Sequence, residues 1–304
     1  MRICYPDDRS DCCQKWNTTM NKRAKNDAYK KLSDIRLFLI DLDGTVYLEG
    51  KLIPGVHGFI NSLNKFGIPF LFITNNSSRN ASQYVQKLNE LGISVTEKNI
   101  LTSGQATGAY LSEKQSNARL FVMGTSSLKN ELKTFGLRIE EDPEKEIDYV
   151  VVGFDTELTY QKLKDACYIL SCDSTGFVAT NPDLVCPVDK NRFIPDCGSI
   201  CNILENATGR QPVFIGKPHT TMINLVRSRF RVTADKIAVI GDRLYTDIAL
   251  GYNAGIMTIC VLSGEATLQE ISKSPFKPDV VIPKISDLNP EIEKMSKETT
   301  YNIR

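Results

Sequence analysis

The chain has 304 residues, 41% hydrophobic and 24% charged, and its 37 Lys and Arg against 36 Asp and Glu leave a net charge of +1. That length supports two domains with a well-buried core, and the composition is ordinary for a soluble globular protein. The balanced charge leaves no footprint for nucleic acid or an anionic membrane. No apolar run approaches the ~20 residues of a membrane-crossing helix, and the N-terminal stretch lacks a signal peptide's apolar core. Nine cysteines, an odd number at irregular spacing, point to reduced thiols and a cytoplasmic location. Cys197 and Cys201 could supply two thiolates to zinc, but neither histidine lies among the clustered cysteines of that region, so buried apolar roles are favoured.

In chain order, residues 1–33 are polar, with Lys22, Arg23, Lys25, Lys30 and Lys31 crowding one end. They read as an N-terminal arm or short added helix that Trp16 could pin to the body. Leu37-Phe38-Leu39-Ile40 then predicts a buried strand that ends in Asp41-Leu42-Asp43-Gly44-Thr45. Strand alternation would point Asp41 and Asp43 the same way, and paired carboxylates demand a cation, a proton or a donor. An EF-hand reading fails, because Gly44 and Leu52 stand at the wrong places in the loop. Val56, Phe59, Ile60, Leu63 and Phe66 recur at helical spacing up to Gly67. A second buried strand, 69–73, runs into Thr74-Asn75-Asn76-Ser77-Ser78, and a helix carrying Ala81, Tyr84, Val85, Leu88 and Leu91 follows. A strand end beside a helix N-terminus favours anions. Capping by Ser77 or Ser78 leaves Thr74 and Asn75 unaccounted for on the strand's rim.

The middle of the chain reads as a separate α/β unit. Strands at 120–123, 149–152 and 177–179 alternate with helices through Leu128 and Leu132 and through Leu163 and Leu170, and the last strand leads into Thr180-Asn181-Pro182-Asp183. Residues 198–207 read as a linking helix. The last third has a short strand at 213–215 entering Gly216-Lys217-Pro218, with a helix beginning at Pro218. A buried strand at 237–240 enters Gly241-Asp242-Arg243-Leu244-Tyr245-Thr246-Asp247, and 259–262 and 280–282 supply two more strands. The chemistry-bearing residues thus follow strands, with glycine nearby, which is where α/β sheets bind ligands.

Asp41-Leu42-Asp43-Gly44-Thr45, Thr74-Asn75-Asn76, Gly216-Lys217-Pro218 and the segment 241–247 occur in the order of the four motifs of the haloacid-dehalogenase-like (HAD) phosphohydrolases, which the chain resembles. Segments 103–107, 179–183, 196–200 and 262–267 look like the NagD-like, or p-nitrophenyl-phosphatase-like, branch. The resemblance implies an α/β fold: a Rossmann-like parallel-sheet core with a large inserted α/β cap of the C2 type. Its expected division is an arm at 1–33, core at 34–104, cap at 105–208, core again at 209–290 and a tail at 291–304.

By the same resemblance Asp41 is the nucleophile that forms an aspartyl-phosphate, and Asp43 the general acid and base. Asp41, the backbone carbonyl of Asp43, and Asp242 would hold Mg²⁺, with Asp247 in support. Thr74, Asn75 and Asn76 would hold the phosphate, backbone N–H groups of Gly44 and Thr45 would join the cradle, and Lys217 would add positive charge. Asn181 and Asp183 of the cap could face the leaving group, while Arg79 and Arg243 read as surface residues. The implied partner is a small phosphorylated metabolite, with no nucleic acid and no membrane; a cap-mediated homodimer is suggested by resemblance. Asp43 argues against a dehalogenase, whose leaving halide needs no proton. An HAD-type phosphosugar mutase keeps the same pair, and a non-catalytic phosphometabolite-binding protein is the alternative from another class. A metal-dependent glycosyltransferase explains neither Lys217 nor the Gly241-Asp242 loop.

Overall fold

The structure, a computed structural model, describes residues 30–189 and 192–301. Of the arm, only residues 30–33 are included, as a helical turn; Trp16, Lys22, Arg23 and Lys25 lie outside the described residues. The chain divides into two compact units, one comprising the chain up to Ile73, Leu88–Asn99 and from Val226 onward, the other Thr74–Lys87 and Ile100–Leu225. Among the described residues no helix is long and apolar enough to cross a membrane.

In the first unit a parallel sheet runs in the order Val280–Ile282, Met257–Val261, Ile237–Gly241, Leu37–Asp41, Phe70–Thr74. Every residue of the strands Met257–Val261, Ile237–Gly241, Leu37–Asp41 and Phe70–Thr74 is buried, as expected where a sheet is covered on both faces and its strands read as continuous apolar runs. Phe38 meets Phe59 of the helix Val56–Lys65 edge to face at 6.4 Å, so the helix's apolar stripe closes on the sheet. The pairings Ile40 with Ile240 and Asp41 with Ile73 bring these strands' C-terminal ends to one edge. Asp41 and the Gly241-Asp242 step therefore lie at the same sheet edge.

The structure corrects the alternation argument for Asp43. The strand ends at Asp41, and the N–H groups of Thr45, Val46 and Tyr47 all turn back to the Leu42 carbonyl. A short hairpin of Tyr47–Leu48 and Lys51–Leu52 follows. Asp43 has thus left the pleat and is exposed, while Asp41 is buried. After Gly241 the chain takes a π-type turn over Leu244–Ile248 before the helix Ala249–Ala254. Where a tail is expected, the helix Asn289–Tyr301 packs on Val56–Lys65.

The second unit has its own parallel sheet, ordered Val213–Phe214, Gly176–Ala179, Tyr149–Val152, Arg119–Met123, Arg138–Ile139. The helix Cys197–Thr208 is no mere link: Ile200, Cys201 and Leu204 pack into one cluster with Phe121, Val150, Val152 and Phe177. The next helix is Thr221–Phe230, so it starts after Pro218 rather than at it. Two further elements lie outside the expected strands and helices. One is the helix Ser103–Lys114, begun by a Thr102–Gln105 capping box. The other is an antiparallel hairpin of Val185–Asp189 with Arg192–Pro195. None of the six described cysteines is in a disulfide, and Cys197, Cys201 and Cys260 are buried.

Candidate active site

Asp41 closes its strand, Asp242 follows Gly241, and Asp247 lies in the turn beyond; oxygens of these three buried carboxylates lie within 4.8 Å of one another. Asp242 is the most heavily braced. Its Oδ2 accepts the Glu265 N–H at 2.7 Å and its Oδ1 the Thr45 hydroxyl at 3.4 Å. Two glycines make room for it, since a Cβ at Gly44, which has φ +87°, or at Gly264 would fall on the Asp242 carboxylate. Burial, resisted by Arg243 and reinforced by Asp247, pushes the Asp242 carboxyl up to about 7. Burial works against Arg243's own charge, yet Asp242, Tyr245, Glu265 and Asp41 hold it protonated well above its ordinary value. Its guanidinium pairs with Glu265 at 3.2 Å and is largely buried, whereas Arg79 is exposed. Asp247 accepts the Arg243 N–H at 3.2 Å and stands inside the carboxylate cluster rather than merely beside it.

Asp43 contributes no side chain to this cluster. Its Oδ2 accepts the Tyr47 hydroxyl at 3.3 Å. The expected cradle of Gly44 and Thr45 N–H groups is not offered to a ligand. Gly44 donates to the Tyr47 carbonyl at 2.8 Å and Thr45 to that of Leu42 at 3.3 Å, because the tight turn consumes them. Ser263, whose hydroxyl donates to the Gly44 carbonyl at 2.7 Å, Gly264 and Glu265 were given no role by sequence reasoning; the segment 262–267 was their only signal.

The remaining candidates belong to the second unit. Thr74 Oγ1 accepts the Asn76 N–H at 3.1 Å, which leaves its proton to give. Asn76 shapes the turn, its Oδ1 accepting the Ser78 N–H and hydroxyl. Lys217 is buried, with its backbone N–H donated to Asn75 Oδ1 at 2.8 Å. Asn75 is thus turned toward the Lys217 backbone rather than presenting its amide to a ligand. Asn181 is fully buried and spends its amide on the Asn75 carbonyl at 2.8 Å and the Asp183 N–H at 2.9 Å. It is therefore turned inward, whereas Asp183 is half-buried. Ser77, expected as a helix cap, instead shares a buried hydroxyl pair with Thr180 at 2.9 Å and accepts the Phe154 N–H.

The profile of haloacid dehalogenase-like hydrolases matches residues 38–138, and a HAD-hydrolase-like profile matches 214–288. The chain is 35% identical over 260 residues to an acid sugar phosphatase of Staphylococcus haemolyticus, covering 86% of this chain and 96% of that protein. The structure of a 4-nitrophenylphosphatase from Thermotoga maritima aligns with a TM-score of 0.81 at 39% identity, over 86% of this chain and 98% of the other. NagD from Escherichia coli K-12 aligns with a TM-score of 0.76 at 29% identity, over 83% and 98%. With motif order, strand-end carboxylates and these likenesses in agreement, the chain belongs to the haloacid dehalogenase-like hydrolases, in their NagD-like phosphatase branch.

Proposed function

We propose that the chain hydrolyses small phosphate monoesters with Mg²⁺, by attack of Asp41 on phosphorus and release of an alcohol, after which water hydrolyses the aspartyl-phosphate. The observation that carries this reading is the buried cluster of Asp41, Asp242 and Asp247. Three carboxylates out of water are costly unless a cation shares them. An all-oxygen donor set with few protein ligands suits Mg²⁺, which keeps several waters. Asp41, Asp242 and the carbonyl of Asp43 would hold it, with Asp247 in support. When bound, it supplies the positive charge that offsets repulsion between a carboxylate nucleophile and an anionic substrate.

Asp43, exposed and steadied by Tyr47, protonates the leaving alkoxide and then takes a proton from the attacking water. The Thr74 hydroxyl and the Lys217 ammonium serve the transferring phosphoryl group. Residues of the second unit act as the cap, and Asp183 is its candidate for contact with the leaving group. Sugar phosphates and p-nitrophenyl phosphate are the substrates to test first, because the named relatives point there.

Hydrolysis of p-nitrophenyl phosphate should vanish with EDTA and return with Mg²⁺. Asp41→Asn should fall below about a hundredth of the wild-type kcat while still unfolding cooperatively. Full activity in EDTA, or a robust Asp41→Asn enzyme, would refute the reading; a chain that binds phosphate esters without turnover would be the binding protein instead.

A further inference from the structure

The side chain of Asn75 makes more hydrogen bonds than a phosphate contact needs. Its Oδ1 accepts the Lys217 N–H at 2.8 Å, while its Nδ2 donates to the Lys217 carbonyl at 2.9 Å and to Asp183 Oδ2 at 3.1 Å. Its own carbonyl accepts from Ser103 Oγ at 2.6 Å and from Asn181 Nδ2 at 2.8 Å. Both polar groups of Lys217's backbone are thus paired with one amide, much as a neighbouring strand would pair them. Gly216 packs against the same group, since a Cβ there would stand 2.6 Å from Asn75 Oδ1. Asn75 is 7% exposed, so water cannot readily replace these bonds if one is lost.

We infer that Asn75 is a positioning residue, whose amide sets the backbone of Lys217 and the carboxylate of Asp183 together and acts on turnover through Lys217. The inference rests on the reading of Lys217 as the charge that serves the phosphoryl group. The chemistry is particular to asparagine. One acceptor and two donors are needed at that reach, and an amide on a one-carbon stem has all three. Aspartate keeps the acceptor, loses both donors and sets a second carboxylate against Asp183. Glutamine has the groups at the wrong distance.

A double-mutant cycle on p-nitrophenyl phosphate with Mg²⁺ tests the coupling. Asn75→Ala should lower kcat about 100-fold, since a misplacement of about 1 Å can cost that much. Combined with Lys217→Ala, it should add less than about threefold to the loss from Lys217→Ala alone. Losses that multiply would overturn the inference, because a residue holding only the fold costs the same whether or not Lys217 is present. Asn75→Asp should be rescued about tenfold in kcat by adding Asp183→Asn, which returns a donor to the pair; no recovery would also overturn it. The exchange of the Lys217 backbone amide gives a readout apart from activity. It should be protected in the wild type and about tenfold or more faster in Asn75→Ala or Asn75→Asp, with amides of the strand Tyr149–Val152 unchanged. Rapid exchange already in the wild type overturns the clamp even if Asn75→Ala does not fold. An inactive wild type with a protected Lys217 amide would instead refute the phosphatase reading and leave the clamp standing.

Discussion

The two acids of Asp41-Leu42-Asp43 stand two residues apart in sequence and in opposite surroundings: Asp41 is buried among carboxylates, while Asp43 is exposed under the Tyr47 hydroxyl. Opposite surroundings suit opposite tasks. If Asp43 donates the proton, Asp43→Asn should slow alkyl phosphates at least about tenfold more than p-nitrophenyl phosphate, whose leaving group needs little protonation. Equal losses on both would make Asp43 a geometric residue. Asp242 invites a second measurement. Its folded value of about 7 lies above the ordinary 3.8, so the folded chain binds that proton more tightly than the unfolded one. The stability it contributes is present below about pH 4 and lost as pH rises through about 7. In EDTA the melting temperature should therefore decline from about pH 5 to 8, less steeply in Asp242→Asn, and Mg²⁺ should offset the decline by binding the carboxylate. A flat profile in EDTA would count against the cluster's electrostatics.

Among the elements, the most consequential packing is made by a side chain that sequence reading passes over. Glu131 is buried; one of its oxygens accepts the Thr102 hydroxyl at 2.6 Å and the other the Ala81 N–H at 2.9 Å. It therefore ties together the starts of the helices Ser103–Lys114 and Ala81–Glu90, the second of which follows the Thr74 loop. Glu131→Ala strands both donors and should cost about 2–4 kcal/mol, read from urea unfolding. A cost under about 0.5 kcal/mol would mean that water replaces it. The inner strands were legible because two-sided burial demands unbroken apolar runs, and Leu37-Phe38-Leu39-Ile40 and residues 237–240 are such runs. The strand pair Val185–Asp189 and Arg192–Pro195 was not legible because Val185, Val188, Phe193 and Ile194 are all exposed, so no alternation marks a buried face. Motif order singled out Asp41, Asp242 and Asp247, whose carboxylates the fold brings together. The inward turn of Asn181 and the spent N–H groups of Gly44 and Thr45 depend on bonds between distant loops or inside a tight turn, and residue type alone does not encode them.

For the molecule as a whole, the proposed roles divide between the two units: the carboxylates belong to one, and Thr74, Asn75 and Lys217 to the other. Asp183 shares the Asn75 amide with Lys217, so changes at Asp183 should alter kcat as well as KM among esters. The exposed hairpin offers a concrete test of self-association. Val188 and Phe193 are 51% and 56% exposed on a two-stranded sheet, and apolar sheet edges of this kind invite pairing. If they hold a homodimer together, Val188→Asp with Phe193→Asp should sediment as a monomer where the wild type sediments as a dimer. A wild type that is monomeric at tens of micromolar would remove the homodimer from consideration. The packing of Gly44 and Gly264 against Asp242 has a different kind of consequence. At Gly264 the constraint is volume, and at Gly44 it is volume together with a positive φ. In a saturation library screened under scarce magnesium, even serine or alanine at 264 should register as an ion-affinity defect, and raising magnesium should recover the mildest variants first. The place of the Asp242 carboxylate is thus set in part by residues that have no side chain to bind anything.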